Sequence, residues 1–279
     1  MLSELLLHPK TQSVISRYIS NPAQSVLFQA PRGFGKETLA TYIADQLTKK
    51  RKEYQLHIYP IESGIIPIES IRNIKQFVKL RTHTGSTARI IVIHSADSMN
   101  DESQNALLKV LEEPPENCFF ILTAHSTDFL LPTILSRVNE IQLIQPTRQQ
   151  CEEYFRNYDS KDITNALAIS GGLAGLTASI LKGEATRYME TITLAKKALT
   201  SKLDEKLVLV DTLSKNRQDA LIFIQCLMVI AKSAVHMSIS SSKNPLSWHK
   251  RIRQIALAEE MIAQNVSTKL VLTRLFTAL

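Results

Sequence analysis

The sequence has few cysteines and no uninterrupted apolar run as long as a membrane span. Its three cysteines, Cys118, Cys151 and Cys226, lie far apart, so they form no Cys-x-x-C pair and cannot supply a four-ligand zinc site. Scattered, unpaired cysteines are typical of a reducing compartment, which favours a cytoplasmic location. The short apolar runs predict a protein without a membrane partner.

Acidic residues are also in deficit. The 279 residues carry a formal net charge of +7, with 44% apolar residues. A basic balance favours acidic partners, of which nucleic acid is the commonest. The one basic run, Lys49–Lys52, is more typical of a solvated helix end than of a binding site. The apolar content is sufficient for hydrophobic cores, and the length predicts more than one domain.

The first half of the chain alternates short apolar runs with amphipathic segments. Apolar runs without polar alternation predict strands of a parallel sheet that is covered on both faces, and the alternation predicts a doubly wound α/β domain. The predicted strands are 25–29, 56–59, 89–94, 118–122 and 140–144, and the predicted helices between them are 37–50, 68–80 and 101–113, with Asp101 as the cap of the third helix.

After Pro146 the strand pattern gives way to helical patterns that continue to the end of the chain. Gly171-Gly172 interrupts them once, and the polar segment Ser238–Pro245 predicts a loop between two later helices. We therefore predict a P-loop-like α/β domain at 1–146, a small helical lid at 147–184 and an all-α domain at 185–279.

A degenerate phosphate loop follows the first strand. In the pattern G-x-x-x-x-G-K-[ST], Gly35 and Lys36 match, Ala30 replaces the first glycine, and Glu37 replaces the hydroxyl that binds Mg²⁺. Thr38 is one residue late, about 100° further round the helix. Backbone amides and Lys36 could still hold the phosphates of ATP or ADP without hydrolysis. The candidate phosphate-binding residues are Gly33, Gly35, Lys36 and Thr38.

The acidic pair that an active nucleotidase needs after its second core strand is missing. His94 and Ser95 stand where an Asp for Mg²⁺ and a Glu for the attacking water are expected, and Asp97 comes too late. These residues predict no metal site. A histidine at a strand end is more often structural than a general base, so we favour the structural interpretation of His94.

Two further motifs carry a resemblance to a known family. Asn105–Pro115 (NALLKVLEEPP) and Leu130–Val138, which contains Ser136-Arg137, resemble motifs of bacterial clamp-loader subunits of the AAA+ family, with Val138 in place of a cysteine. The resemblance implies a P-loop-like domain, a lid and a C-terminal helical collar through which subunits assemble. It also implies that Ser136 and Arg137 act in trans, with Arg137 as an arginine finger on a neighbour's ATP.

The departures from the family pattern point to its non-hydrolysing relatives, the delta-prime subunits of DNA polymerase III. Ala174 stands where active members carry a sensing arginine, and the four-cysteine zinc module of many members is absent. The resemblance then implies partners in the clamp-loader ATPase subunits and the delta subunit. It also implies contact with primer-template DNA and the sliding clamp through the complex, without a required cofactor.

Three questions remain open from the sequence. The first is whether the chain is a slow ATPase, with Glu37 and Asp97 recruiting the metal, or another DNA-acting AAA+ ATPase such as a helicase loader or recombination factor. The second is whether Thr123 or His125 is the sensor residue on the fourth strand, or whether both are only satisfied locally. The third is whether Arg137 is a surface residue paired with a carboxylate such as Glu140.

Overall fold

The computed structural model describes residues 5–79, 88–240, 246–264 and 266–279. The chain divides into two compact units. One contains Met1–Arg156 with Leu173–Gly175, and the other contains Asn157–Gly172 with Leu176–Leu279. The division into three domains at 146 and 184 stays a prediction.

The first unit is an α/β domain around a five-stranded parallel sheet, which confirms the predicted fold class. The strand order is β2-β3-β4-β1-β5. The strands are β1 (Ser25–Gln29), β2 (Gln55–Ile58), β3 (Arg89–Ile93), β4 (Cys118–Ala124) and β5 (Asn139–Gln142). The helices are α1 (Pro9–Ser20), α2 (Lys36–Leu47), α3 (Ile68–Lys79), α4 (Asp101–Glu112), α5 (Pro132–Leu135) and α6 (Arg148–Tyr154).

The sheet is buried on both faces because successive side chains of its central strands point in opposite directions. In β1, Val26 and Phe28 pack into the core that α1 and α2 cover, whereas Leu27 packs into the core beneath α3 and α4. Strand β3 divides in the same way, since Ile91 and Ile93 pack into one core and Ile90 and Val92 into the other. This explains why these strands are apolar without alternation.

Three local expectations differ from the structure. Helix α1 was not predicted at all. The cap of α4 is Asn100, not Asp101, because the Asn100 side chain accepts a hydrogen bond from the Ser103 amide at 2.9 Å. Strand β5 was predicted as a buried apolar run, yet it is mostly exposed because it lies at the sheet edge and pairs only with β1.

The second unit is helical throughout its described length. Its core includes Phe223 and Phe276, whose rings meet edge to face with centroids 5.7 Å apart. Helix α11 continues to Ser240, so the predicted loop begins later than Ser238, and its residues 241–245 lie outside the described ranges. The helices are α7 (Ser160–Ser170), α8 (Ala174–Leu181), α9 (Thr186–Thr200), α10 (Leu203–Leu213), α11 (Arg217–Ser240), α12 (Leu246–Ala263) and α13 (Thr268–Ala278).

One segment of α11, Arg217–Val235, is long and apolar enough to cross a membrane by length and composition alone. The sequence analysis looked for uninterrupted apolar runs and did not find this segment, because charged and polar residues interrupt it. Core helices of soluble proteins pass the same test. Phe223, Ile224 and Leu227 of this segment are fully buried in the helical core, and 39% of the segment is buried inside the protein.

Candidate nucleotide site

The segment predicted as a degenerate phosphate loop connects β1 to α2. Gly33 and Gly35 have φ angles of 81° and 98°, which only glycine adopts readily. Lys36 begins α2, and its Nζ donates to the Pro31 carbonyl at 3.5 Å. The structure therefore brings three of the predicted residues together, whereas Thr38 is exposed on the first turn of α2.

The amine of Lys36 is enclosed, with only 4% of the residue exposed. Burial lowers its pKa to about 8, although the nearby Asp97 carboxylate opposes that shift. Lys36 therefore remains positively charged at neutral pH, and the Asp97 carboxylate partly balances that charge.

The segment at the start of α8 lies directly against this loop. The Gly175 amide donates to the Phe34 carbonyl at 3.1 Å. A Cβ atom at position 175 would lie 2.7 Å from the Gly35 nitrogen, 2.8 Å from the Gly35 Cα and 3.0 Å from the Gly33 carbonyl oxygen. Only a residue without a side chain permits this approach.

This contact bears on phosphate binding because the amides of such a loop are the groups that cradle an anion. In this conformation the backbone of Gly175 lies against Gly35 of the loop. The sequence interpretation considered Ala174 as a missing sensor arginine and overlooked Gly175. The signal that could have revealed it is a third glycine three residues after Gly172.

At the end of β3, His94 is fully buried, and Tyr59 stacks on its ring with centroids 4.2 Å apart. His94 Nε2 lies 3.0 Å from His57 Nδ1. Ser95 follows with a left-handed φ of 53°, and its amide donates to the Thr123 hydroxyl oxygen at 3.0 Å. The two residues that replace the acidic pair are therefore engaged with neighbouring strands.

The hydrogen bonds fix the tautomers of both histidines. The Gln55 Nε2 donates to the Asp45 carboxylate at 2.8 Å, so Gln55 presents its carbonyl oxygen to His57 Nε2, 3.0 Å away. His57 must then carry its proton on Nε2 and accept at Nδ1, and His94 must donate from Nε2. The remaining His94 Nδ1 is a buried acceptor that has no hydrogen-bond partner among the described residues.

Asp97 faces the loop but is held by His125. The His125 amide and Nδ1 both donate to Asp97 Oδ2, at 3.1 and 2.8 Å. Burial raises the pKa of Asp97, but these hydrogen bonds and the charge of Arg32 outweigh burial and leave the pKa lowered. Both sensor candidates, Thr123 and His125, are thus bonded to residues that follow β3.

Arg137, predicted as the arginine finger, lies at the surface beside α4. Its NH2 donates to Glu112 Oε1 at 2.8 Å, and its NH1 donates to the Thr133 carbonyl at 2.9 Å and the Ser136 hydroxyl at 3.1 Å. The carboxylate that it contacts is Glu112, not Glu140. Glu112 belongs to the predicted NALLKVLEEPP motif, so the structure brings the two family motifs together.

Comparisons with known proteins agree with this arrangement of fold and motifs. The family model described as "DNA polymerase III, delta subunit" matches residues 48–147. DNA polymerase III subunit delta' of Haemophilus influenzae is 26% identical over 53% of this chain and 52% of its own length. The subunit delta' of Pseudomonas aeruginosa is 30% identical over 59% of this chain and 57% of its own length. The chain thus spans about half the length of the curated relatives it matches.

A solved structure has the same fold over nearly its whole length. It is a DNA polymerase III gamma subunit-related protein from Thermotoga maritima, with 21% sequence identity and a TM-score of 0.56. The match covers 96% of this chain and 97% of that chain. At this identity the likeness shows the fold alone.

We predict that Gly175→Ala destabilises the protein. Position 175 lies in the first turn of α8, where alanine alone would favour the helix by up to about 1 kcal/mol. The added Cβ would instead meet backbone atoms of the loop at 2.7 to 3.0 Å, and overpacking of this kind costs about 1–3 kcal/mol. The sign of the change in unfolding free energy, measured by urea titration, decides between the two effects. A stabilised variant would contradict the close contact.

We also predict that stability falls as the pH drops from about 6.5 to 4. Burial lowers the pKa of both His94 and His125 to about 4, so the unfolded chain binds protons in this range before the folded chain does. Each histidine then costs about 2 kcal/mol of unfolding free energy by pH 5. Urea titrations at pH 7 and pH 5 measure the loss.

The matched test of that pH dependence is His94→Gln, which keeps a side-chain donor for His57 but cannot titrate. Its loss of stability between pH 7 and pH 5 should be about 2 kcal/mol smaller than that of the unmodified chain. The unmodified chain, titrated in parallel at both pH values, serves as the control. An unchanged slope in His94→Gln would show that His94 does not contribute.

Proposed function

We propose that this chain, which belongs to the clamp-loader family of DNA polymerase III delta-prime subunits, is a clamp-loader subunit that does not hydrolyse ATP itself. The family matches support the role in clamp loading. Its partners would be the ATPase subunits and the delta subunit. Through that complex it would help to place the sliding clamp on primer-template DNA, in the cytoplasm, as part of the DNA polymerase III holoenzyme.

The observation that carries the non-hydrolysing assignment is the contact between Gly175 and the phosphate loop. A nucleotide would need the amides of this loop, and the Gly175 backbone lies against Gly35. Its metal needs an acidic pair after β3, where the chain has a buried, stacked His94 and a Ser95 that bonds Thr123. Binding of nucleotide would require the segment to move, and hydrolysis would require a metal ligand as well.

A slow ATPase is the second candidate, because one observation favours it. The Asp97 carboxylate acts to raise the pKa of Lys36, and the charge of Arg32 acts to lower the pKa of Asp97. A carboxylate therefore does face the phosphate loop. However, Asp97 already accepts two hydrogen bonds from His125, and Glu37 is exposed on α2. We favour the non-hydrolysing function on these grounds.

The contacts of Arg137 are compatible with an arginine finger that acts on a neighbour's ATP. Its side chain is one-third exposed and its partner Glu112 is about half exposed. Exposed ion pairs contribute only about 0–1 kcal/mol, so a neighbour's phosphate could replace the carboxylate at little cost. Ser136 accepts from NH1 and would keep the guanidinium in place during such an exchange. A permanently charged, planar group suits charge stabilisation on a transferring phosphoryl group.

Assembly with the other subunits is assigned to the helical region 185–279. Many apolar residues of this region fill the unit's own core, among them Phe223, Leu227, Val271, Leu275 and Phe276. The apolar residues that remain exposed on the helices of this region are the better candidates for subunit contact. They are Met189, Leu203, Leu207, Val208, Leu246 and Leu270.

The isolated chain is expected to release phosphate from ATP no faster than background, because its own site lacks both an uncovered phosphate loop and a metal-binding acidic pair. Lys36→Ala should leave that background unchanged. Steady-state phosphate release is the measurement, with a purified clamp-loader ATPase subunit as the positive control. Turnover that disappears in Lys36→Ala would establish the slow-ATPase alternative instead.

Arg137→Ala in a reconstituted clamp loader is expected to assemble normally and to slow hydrolysis at the neighbouring site by at least about 100-fold, since a finger supplied in trans is worth about 10³–10⁵ in rate. Clamp- and DNA-stimulated ATPase activity measures the effect. Arg148→Ala, which removes an exposed arginine paired with Glu152, is the matched control and should have no effect.

Glu112→Gln separates a catalytic role of Arg137 from a structural one. The substitution breaks the same ion pair but keeps the guanidinium, so the complex should retain its ATPase activity. Equal losses in Arg137→Ala and Glu112→Gln, or no loss in either, would mean that the pair is only structural.

A further inference from the structure

Two large side chains are exposed directly after the edge strand β2. Tyr59 and Ile61 stand two residues apart, and each is 51% exposed. The turn that follows is closed by its own backbone, because the Ile61 amide donates to the Ile65 carbonyl at 2.9 Å and the Gly64 amide donates to the Ile61 carbonyl at 2.8 Å. Ile61 is therefore presented to solvent by a segment that hydrogen bonds hold in place.

The ring of Tyr59 has one covered face and one open face. It stacks on the ring of His94, with the two planes 5° apart and the centroids 4.2 Å apart, and His94 is fully buried. Since half of Tyr59 is nevertheless exposed, solvent reaches the opposite face. The face of an aromatic ring is the negative part of its quadrupole and attracts cations. A ring that is already restrained also loses little side-chain entropy when a partner covers it.

Two carboxylates flank this ring. Burial raises the pKa of Tyr59, and the charge of Glu37 raises it further, so Glu37 lies near the phenol. Glu62 lies in the turn, three residues after Tyr59. Both glutamates are exposed, and neither forms an ion pair in the part of the chain that the structure describes.

Two lysines act on these groups, but other carboxylates already balance them. The charge of Lys52 acts on Tyr59, yet Lys52 pairs with Asp45. Lys36 precedes Glu37 in the chain, but Lys36 is enclosed and Asp97 partly balances its charge. The exposed charges next to the ring are therefore negative, although the net charge of the chain is +7. Such a surface complements a cation.

We propose that Tyr59, Ile61, Glu37 and Glu62, here called the Tyr59 surface, bind an arginine and its aliphatic neighbours in a protein partner. Arginine fits this surface better than lysine, because a planar guanidinium can stack on the open ring face and donate to a carboxylate at the same time. The exposed Ile61 favours an aliphatic residue beside that arginine, because the contact removes apolar surface from water. The binding needs no nucleotide, so it does not depend on the proposed function.

The test is an NMR titration of the isotope-labelled full-length chain with the peptide acetyl-Leu-Arg-Leu-amide. The Ile61 methyl groups and the backbone amides within residues 59–64 should shift saturably. Tyr59→Leu should weaken binding about two- to fivefold, the value of an exposed cation–π contact, and acetyl-Leu-Lys-Leu-amide should bind the unmodified chain more weakly by about the same factor. Tyr59→Phe keeps the ring and should bind the arginine peptide like the unmodified chain.

The double variant Glu37→Gln/Glu62→Gln should weaken binding by at least about threefold, because it removes both carboxylates. Its matched control is Glu113→Gln/Glu116→Gln, which removes the same charge from exposed positions of the same unit and should bind like the unmodified chain. Far-UV circular dichroism should show that all variants are folded.

Three results would overturn the proposal. The first is the absence of shifts within residues 59–64, and the second is equal weakening in both double variants or equal binding of the arginine and lysine peptides. The third is self-association of the chain in analytical ultracentrifugation that Tyr59→Leu abolishes, because a second copy of the chain would then be the occupant of this surface.

Discussion

The approach of the Gly175 backbone to the phosphate loop depends on the absence of side chains at three positions. Gly33 and Gly35 give the loop its left-handed turns, and Gly175 allows a second piece of backbone to lie against it. With that contact in place, Lys36 is enclosed and needs a nearby negative charge, which Asp97 supplies. His125 in turn holds Asp97 in position. The loop is thus surrounded by a connected set of contacts within the chain.

The second set of contacts runs from the surface to the end of β3. Lys52 pairs with Asp45, Asp45 accepts from Gln55, Gln55 accepts from His57, and His57 accepts from His94. The Asp45 carboxylate can only accept, so Gln55 must present its amide nitrogen to Asp45 and its oxygen to His57. His57 must then donate to Gln55 and accept from His94. The chain therefore determines which nitrogen of His94 carries the proton, although His94 itself is fully buried.

The sequence predicted the parts of this molecule that depend on local patterns. The core strands were recognised because burial on both faces makes them apolar without alternation, and α2, α3 and α4 because their apolar residues recur at helical spacing. Strand β5 was recognised as a strand, but its exposure depends on its position at the sheet edge, which sequence does not reveal. The pairing of Arg137 with Glu112, 25 residues away, and the contact of Gly175 with Gly35 both depend on tertiary structure. The loop between β1 and α2 was therefore predictable, whereas the approach of the Gly175 backbone to it was not.

The hydrogen-bonded histidines also constrain how this sequence can change. The ATPase pattern has an aspartate at position 94. A carboxylate there would face the Nδ1 of His57, which is an acceptor as long as Gln55 accepts from its other nitrogen. Two acceptors would then oppose each other in a buried place, unless His57 became charged. The effect of an aspartate at position 94 is thus epistatic with Gln55 and His57, so the single substitution carries a penalty that a change at all three positions would avoid.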